Sequence, residues 1–232
     1  MIFGGFQKQS LIDYPGKLAC ILFTSGCNFT CPYCHNPDLV GKPGSRCPTL
    51  ATEAVFDFLD KRRKFLEGVV ISGGEPTLHP DLATVCNQIK GMGYKIKLDT
   101  NGSHPEVLSR LIQNLLVDYL AMDIKTDPAA YPRAISPQNT TESIQQSISL
   151  VMDCGLPYEF RTTCVPPFVD ESILNKIVRR IKGARYFALQ RFKAEKVLSP
   201  AFFQKELPPY SRKDLNRFQT LAAPWVQTCI VR

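Results

Sequence analysis

The sequence predicts an α/β fold in which short buried strands alternate with helices and pair in parallel. Six short runs have the apolar character of buried strands, and five helical patterns lie between them. The 232 residues, with 44% hydrophobic and 21% charged content, are enough to bury a core. Strands and helices that alternate in this way indicate a parallel sheet with right-handed crossovers, either open or curled towards a barrel.

The first two units set the pattern. The first strand, 18–24, is an apolar run bounded by turn sequences, and a polar loop containing Pro and Gly follows it. Thr52 is expected to cap a helix over 53–66, whose apolar residues lie near one face. The second strand, 68–72, ends at a Gly-Gly-Glu-Pro sequence, and its helix is expected over 81–90. Each strand is therefore followed by a loop and a helix.

The remaining units repeat this order. The third strand, 94–100, ends at an Asn-Gly turn. Later strands are predicted at 117–125, 157–163 and 185–190, and later helices at 106–116, 142–154 and 171–182. In such architectures the chemistry collects at the carboxyl ends of the strands.

A single domain, 1–232, is expected, with its core over about 17–192. The alternation is expected to stop after Phe192. The C-terminal extension, 193–232, contains Leu207-Pro208-Pro209 and should form a helix over 213–221 and an edge strand over 226–231.

Composition limits the class of function. No run approaches eighteen apolar residues and residues 1–14 lack a signal-peptide pattern, so we expect a cytoplasmic protein with no membrane partner. Nine cysteines in such a chain indicate metal ligands or redox groups. The net charge of +7 is modest, and its densest runs, 61–64 and 179–182, read as solvated helix faces. A zinc or iron–sulfur module that binds nucleic acid is the alternative of another class, but no basic groove interleaved with aromatic residues supports a nucleic-acid partner.

Cys27, Cys31 and Cys34 form a C-x3-C-x2-C pattern directly after the first strand. Thiolates at this spacing suit an iron–sulfur cluster, although a four-iron cluster normally takes four ligands. Three cysteines would leave one iron open to a ligand from outside the protein. The other cysteines lie singly in strand, helix or loop patterns.

Three other interpretations share these residues. Cys31 and Cys34 match a glutaredoxin-type dithiol, and with His35 they satisfy the C-x-x-C-H pattern of haem attachment. Neither interpretation uses Cys27. Structural zinc would need a fourth ligand, which His35 or Cys47 would supply.

With these motifs in place, the sequence resembles the radical S-adenosylmethionine (SAM) superfamily. The cysteine loop after strand one, the run Gly73-Gly74-Glu75-Pro76 after strand two and the six βα units match the order of that family. The runs 12–16, 32–37 and 189–192 resemble the activating proteins of anaerobic ribonucleoside-triphosphate reductase, which are glycyl-radical enzyme activases.

The resemblance implies a partial (βα)6 radical SAM barrel with parallel strands and a short C-terminal extension. It implies that Cys27, Cys31 and Cys34 are the catalytic and metal-binding residues and hold a four-iron, four-sulfur (4Fe-4S) cluster to which SAM binds. An electron from the cluster would split SAM into methionine and a 5′-deoxyadenosyl radical, which abstracts hydrogen from a glycine of the partner.

The same resemblance implies the partners. They are a glycyl-radical enzyme, here anaerobic ribonucleotide reductase, and an electron donor of the flavodoxin or ferredoxin type. Activation of another glycyl-radical enzyme, or radical modification of a peptide or small molecule, is the alternative function.

Candidates for SAM binding lie in the cysteine loop and at the strand ends. Gly73 and Gly74 would let the backbone approach the SAM amino group, or form a strand-to-helix turn. The Tyr33 ring would border the adenine or pack at the barrel mouth. The full set is Tyr33, His35, Asn36, Gly73, Gly74, Glu75, Asp99, Thr100, Asp123, Lys125, Arg161 and Gln190.

Two of these strand ends carry opposite charges. Asp123 and Lys125 share a face by the two-residue period of a strand and are expected to meet the SAM carboxylate. The resemblance also implies a monovalent cation held by the aspartates, and a surface salt bridge is the competing interpretation. Arg161 and Gln190 are expected at corresponding positions on their strands.

Overall fold

The computed structural model describes residues 1–203 and 208–232; Leu207 of the predicted extension lies outside this part. The described residues form eight strands: β1 (Phe3–Ser10), β2 (Ala19–Thr24), β3 (Gly68–Gly73), β4 (Lys95–Thr100), β5 (Tyr119–Asp123), β6 (Tyr158–Cys164), β7 (Phe187–Arg191) and β8 (Cys229–Val231). The described α-helices are α1 (Thr52–Arg62), α2 (Leu82–Gly91), α3 (Pro105–Gln113), α4 (Thr141–Asp153), α5 (Glu171–Arg180), α6 (Pro200–Phe203) and α7 (Arg212–Ala222). None of these helices is both long enough and apolar enough to span a bilayer.

The chain forms two compact units whose segments interleave along the sequence. Unit 1 contains 1–28, 38–100 and 106–120, and unit 2 contains 29–37, 101–105 and 121–232. The single domain over 1–232 stays a prediction.

Unit 1 is built on strands β1 to β4. β1 runs antiparallel to β2, whereas β2, β3 and β4 run parallel to one another. Next to β4, the Asp118 backbone N–H donates to the Ile96 carbonyl at 2.8 Å, so the start of β5 continues this order. Ala19, Ile21 and Val70 pack together in the core of this unit. The sequence pattern does not predict β1, because two glycines and a polar run replace the apolar alternation of a strand.

Unit 2 contains the parallel strands β6, β7 and β8. Phe187 of β7 lies opposite Phe160 on one side and Cys229 on the other. α7, which connects β7 to β8 in the chain, begins with a capping box in which Ser211 and Asp214 satisfy each other's backbone N–H groups. The prediction that the alternation stops after Phe192 is therefore wrong, since β7, α7 and β8 form a further parallel unit.

The predicted α/β class with mostly parallel strands is confirmed, and the predicted helices and strands differ from the observed ones mainly at their ends. α1 ends at Arg62 instead of 66, and Phe65 beyond it is 58% exposed. β5 ends at Asp123, which leaves Lys125 beyond the strand. The edge strand predicted over 226–231 is present as the shorter β8.

Candidate active site

The candidate residues divide between the two units. Unit 1 holds Cys27, Gly73, Gly74, Glu75, Asp99 and Thr100, and unit 2 holds Cys31, Tyr33, Cys34, His35, Asn36, Asp123, Lys125, Arg161 and Gln190.

Cys27 lies in unit 1 on the loop that leaves β2. Its backbone N–H donates to the Gly41 carbonyl at 2.9 Å, and its carbonyl accepts from the Gly41 N–H at 3.3 Å. The preceding residue, Gly26, donates to the Leu39 carbonyl at 2.9 Å. These bonds fix the backbone of the loop, while the Cys27 side chain stays partly exposed.

Cys31 and Cys34 lie in unit 2 on one tight turn. The Cys34 N–H donates to the Cys31 carbonyl at 2.9 Å. Burial raises the pKa of the Cys31 thiol to about 11, and the nearby Lys125 charge opposes that rise. Burial also raises the pKa of Cys34, against the N–H of Asn36 and the charge of Lys125. Both groups are therefore thiols at neutral pH until a metal displaces the proton.

The described residues contain nine thiol cysteines and no disulfide, so Cys31 and Cys34 are not joined to each other. Within 1–203 and 208–232, no group of three His, Cys, Asp or Glu side chains is placed to hold a single metal ion.

Gly73 and Gly74 hold the end of β3 against the loop that carries Cys27. Gly73 has φ of +114°, and a Cβ on Gly74 would lie 1.9 Å from the Gly26 carbonyl oxygen. The N–H groups of Gly74 and Glu75 donate to the carbonyls of Thr24 and Gly26, each at 2.8 Å. These contacts support the interpretation of the glycines as a turn that permits close backbone packing.

The Glu75 carboxylate is fully buried and lies at the centre of a polar network. One of its oxygens accepts from the Thr77 N–H at 3.1 Å, the Thr77 hydroxyl at 2.5 Å and the Thr100 hydroxyl at 2.8 Å. Two candidates for SAM binding, Glu75 and Thr100, are therefore bonded to each other. The network ties the end of β4 to the turn that follows β3.

His79 is buried near the same loop. Its Nε2 donates to the Ser25 carbonyl at 3.0 Å. Burial lowers the pKa of His79, and the bond to Ser25 opposes this change. A neutral imidazole therefore helps to hold the backbone two residues before Cys27.

Asp99 pairs with a buried lysine in unit 1. Its Oδ1 lies 2.5 Å from the Lys97 Nζ, and its Oδ2 accepts from the Ser72 hydroxyl at 3.0 Å. The Lys97 side chain is 2% exposed and also lies over the Tyr119 ring, 5.9 Å from its centroid. Lys97, on the same strand, therefore balances the charge of Asp99.

Asp123 lies between two cations in unit 2. Its Oδ2 is 2.9 Å from the Lys125 Nζ, and its Oδ1 is 2.7 Å from the Arg161 Nε. Burial alone would raise the pKa of Asp123, but Arg161 and then Lys125 outweigh it and hold that pKa well below its ordinary value. All three side chains are less than a quarter exposed. The group carries a net positive charge.

Gln190 and Arg161 are two residues out of register, instead of directly opposite each other. Arg161 pairs with Ala188, and Gln190 pairs with Thr163, whose hydroxyl lies 3.5 Å from the Gln190 amide oxygen. Because the offset is two residues, Arg161 and Gln190 still lie on one face of the strands.

Tyr33 is buried in an aromatic cluster, and in this structure its ring packs against other rings. The ring centroid lies 5.5 Å from that of Phe168 and 6.5 Å from that of Phe192, and the hydroxyl donates to the Lys125 carbonyl at 3.3 Å. α6 adds Phe202, stacked on Phe168 at 5.4 Å. His35 and Asn36, which follow on the same loop, are exposed.

Sequence reasoning missed several side chains that organise these groups. Lys97 lies between Ile96 and Leu98 in β4, where polar and apolar residues alternate, so the sequence gives no sign that this lysine is buried. Arg232, which binds Glu159 at 2.8 Å, has no local signal, because 73 residues separate the two.

The chain is similar to known proteins in sequence. The profile described as the Radical SAM superfamily matches residues 21–177. A protein of Methanocaldococcus jannaschii, named as a predicted glycyl-radical enzyme activating enzyme, is 34% identical over 235 residues, 98% of this chain and 94% of that protein. The pyruvate formate-lyase-activating enzyme of Clostridium pasteurianum is 26% identical over 226 residues, 93% of this chain and 84% of that enzyme.

Solved structures are similar in fold. SuiB of Streptococcus suis, bound to S-adenosylmethionine, aligns with a TM-score of 0.65 and 13% identity over 91% of this chain and 51% of SuiB. This chain thus spans about half the length of SuiB. A domain of the pyruvate-formate lyase-activating enzyme from Bacteroides vulgatus aligns with a TM-score of 0.56 and 16% identity, over 71% of this chain and 98% of that domain. At these identities the likeness concerns the fold.

Proposed function

Because this chain belongs to the radical SAM superfamily, and within it to the glycyl-radical enzyme activating enzymes, we propose that it installs a glycyl radical in a partner enzyme. Members of the superfamily use a 4Fe-4S cluster and SAM. When bound, these cofactors supply a 5′-deoxyadenosyl radical that takes a hydrogen atom from the target glycine. The observation that carries the proposal is the C-x3-C-x2-C loop directly after β2, in a chain with this family match.

Cys27, Cys31 and Cys34 are proposed as the cluster ligands. Thiolate sulfur is the donor that iron–sulfur clusters take from proteins, and three thiolates leave one iron for SAM. The donor set fits this role, since all three residues are thiols and none is tied up in a disulfide. The Lys125 charge favours the ionised forms of Cys31 and Cys34, as ligation to iron requires.

Lys125 and Arg161 are proposed to receive the SAM carboxylate. Two cations share the single carboxylate of Asp123, so this group attracts an anion and repels a cation. This net positive charge supports the SAM carboxylate as the ligand of the group, in preference to a monovalent cation at Asp123. Since Arg161 also donates from Nε to Asp123, the aspartate orients the guanidinium.

Gly73 and Gly74 are proposed to present carbonyl oxygens to the SAM ammonium group. The N–H groups of Gly74 and Glu75 already donate to the loop after β2. An ammonium group needs acceptors, which backbone carbonyls provide. The buried bonds of Glu75 to Thr77 and Thr100 would keep this turn rigid.

For the substrate we propose anaerobic ribonucleotide reductase. The runs 12–16, 32–37 and 189–192 support this assignment by their resemblance to its activating proteins. A second candidate, pyruvate formate-lyase, is favoured by the relative from Clostridium pasteurianum, which matches 93% of this chain. In either case a flavodoxin- or ferredoxin-type protein is proposed as the electron donor.

The test mixes the reduced, reconstituted enzyme with SAM and one candidate substrate from the same organism. A glycyl-radical doublet in the electron paramagnetic resonance spectrum of the reductase is the expected result. The Cys31→Ala protein, which lacks a proposed ligand, is the control and should give no doublet. A doublet that appears only with pyruvate formate-lyase would make that enzyme the substrate in place of the reductase. SAM cleavage that produces a doublet in neither protein would overturn both substrate assignments.

A further inference from the structure

Glu159 carries a buried carboxylate beside the proposed SAM-carboxylate group. Its side chain is 1% exposed and lies on β6, two residues before Arg161. Residues two apart on a strand share a face, so the acid and the guanidinium are neighbours. Burying a carboxylate is costly unless a cation and hydrogen bonds compensate it.

Arg232 provides that compensation from the end of β8. Its Nη2 lies 2.8 Å from one Glu159 oxygen and its Nη1 lies 3.3 Å from the other, a two-point contact that suits the planar guanidinium. The backbone of Arg232 is held in place as well. Its N–H donates to the Leu189 carbonyl and its carbonyl accepts from the Arg191 N–H, each at 2.9 Å.

Arg161 therefore lies near both Asp123 and Glu159 and binds them unequally. Its Nε donates to Asp123 at 2.7 Å, whereas its Nη1 lies 4.0 Å from the nearer Glu159 oxygen. Without the Arg232 cation, the buried charge of Glu159 would attract Arg161 more strongly. The guanidinium would then turn away from Asp123.

We propose that Arg232 is a positioning residue which, by binding Glu159, keeps Arg161 directed at Asp123 and so shapes the site for the SAM carboxylate. The inference rests on the proposed function for its consequence on SAM. The orientation of Arg161 does not depend on bound SAM and is measured separately.

The test is a double-substitution cycle read out by SAM affinity of the reconstituted enzyme. R232Q removes the counter-charge and should weaken SAM binding by about tenfold. R232Q combined with E159Q removes the competing acid too, and should bind within about threefold of the original protein. R217Q, which breaks the exposed 2.7 Å pair of Arg217 with Glu171, is the matched control and should leave the affinity unchanged.

A second readout follows the Arg161 Nε–H signal by nuclear magnetic resonance in the full chain before reconstitution, assigned with R161K. The signal should exchange slowly in the original protein, rapidly in R232Q and slowly again in the double variant. If R232Q does not fold, R232K takes its place: it keeps the charge, loses the two-point contact and should give an intermediate exchange rate.

Unchanged exchange and affinity in R232Q would overturn the proposal, as would a double variant as weak as R232Q, since loss of structure would not be rescued by E159Q. If the original protein fails to bind SAM, the proposed function fails. The Arg161 signal then still decides whether Arg232 positions it.

Discussion

Lys97 and Asp99 form an ion pair along one face of β4, with 2.5 Å between Nζ and Oδ1 and only 2% and 14% of the two side chains exposed. Water is largely absent from such a pair, so each charge depends on its partner for the stabilisation that hydration would provide. The pair connects Asp99, a sequence-based candidate for SAM binding, to the interior of unit 1.

Breaking this pair on one side should cost more than removing both charges. Asp99→Asn leaves Lys97 charged and without this carboxylate, and the free energy of unfolding should fall by about 3–5 kcal/mol. Lys97→Met combined with Asp99→Leu should lose less. Urea unfolding of the variants checks this order. Asp60→Asn, which breaks an exposed 2.8 Å pair with Arg63, is the control and should cost less than about 1 kcal/mol. A double variant less stable than Asp99→Asn would contradict the prediction.

The three loop cysteines should be required for the cluster, and a packed cysteine should not. Cys27→Ala, Cys31→Ala or Cys34→Ala should each abolish the broad absorption near ~400 nm after anaerobic reconstitution. Cys86→Ala is the matched control, because Cys86 is fully buried in α2 with its pKa raised to about 12 by burial. Iron and sulfide content measures the outcome. A full cluster in Cys27→Ala would point to a site made by Cys31 and Cys34 alone.

Gly74→Ala should disturb the cysteine loop directly. The added Cβ would lie 1.9 Å from the Gly26 carbonyl oxygen, so the backbone next to Cys27 must move. We expect a lower melting temperature and incomplete cluster loading. Gly91→Ala is the control, since nothing lies within 4 Å of its Cβ at the end of α2, and it should be neutral or stabilising by about 0.5–1 kcal/mol. Wild-type cluster content and melting temperature in Gly74→Ala would show that this prediction is wrong.

His79 should make unit 1 less stable in mild acid. Burial lowers its pKa below the ordinary value, so the unfolded chain binds a proton at a pH where the folded chain does not. Stability is then fully present above the ordinary pKa of about 6.5 and declines as the pH falls towards the lowered value. The loss between about pH 7.5 and pH 5.5 should be larger in the original protein than in His79→Gln, which keeps a donor for Ser25. Urea unfolding at both pH values measures the difference, and equal losses would argue against a titrating His79.

The order of strands and helices along the chain and the position of the cysteine loop were predictable because their signals are local. The run 18–24, for example, is apolar throughout and bounded by turns, and β2 occupies 19–24 of it. β1 was not predictable in the same way, since its residues owe their strand conformation to pairing with β2 and not to their own pattern. The candidate site also contains both kinds of feature: residues with local signals, and contacts that depend on strand pairing.

Glu75 and Thr100 were predictable as polar residues at strand ends, but not as partners, because their contact depends on how β3 and β4 sit side by side. The pairing of Glu159 with Arg232 depends on the register of β8 against β7, which only the folded chain defines. Long-range register is the physical reason that this part of the site escaped sequence reasoning.

The position of Arg232 also bears on how the protein is made. A ribosome that adds about 5–20 residues per second needs roughly 4–15 s to travel the 73 residues from Glu159 to Arg232. Throughout that interval the nascent chain carries Glu159 but not Arg232. The contact between these two side chains therefore forms only after the residues of β8 have been synthesised.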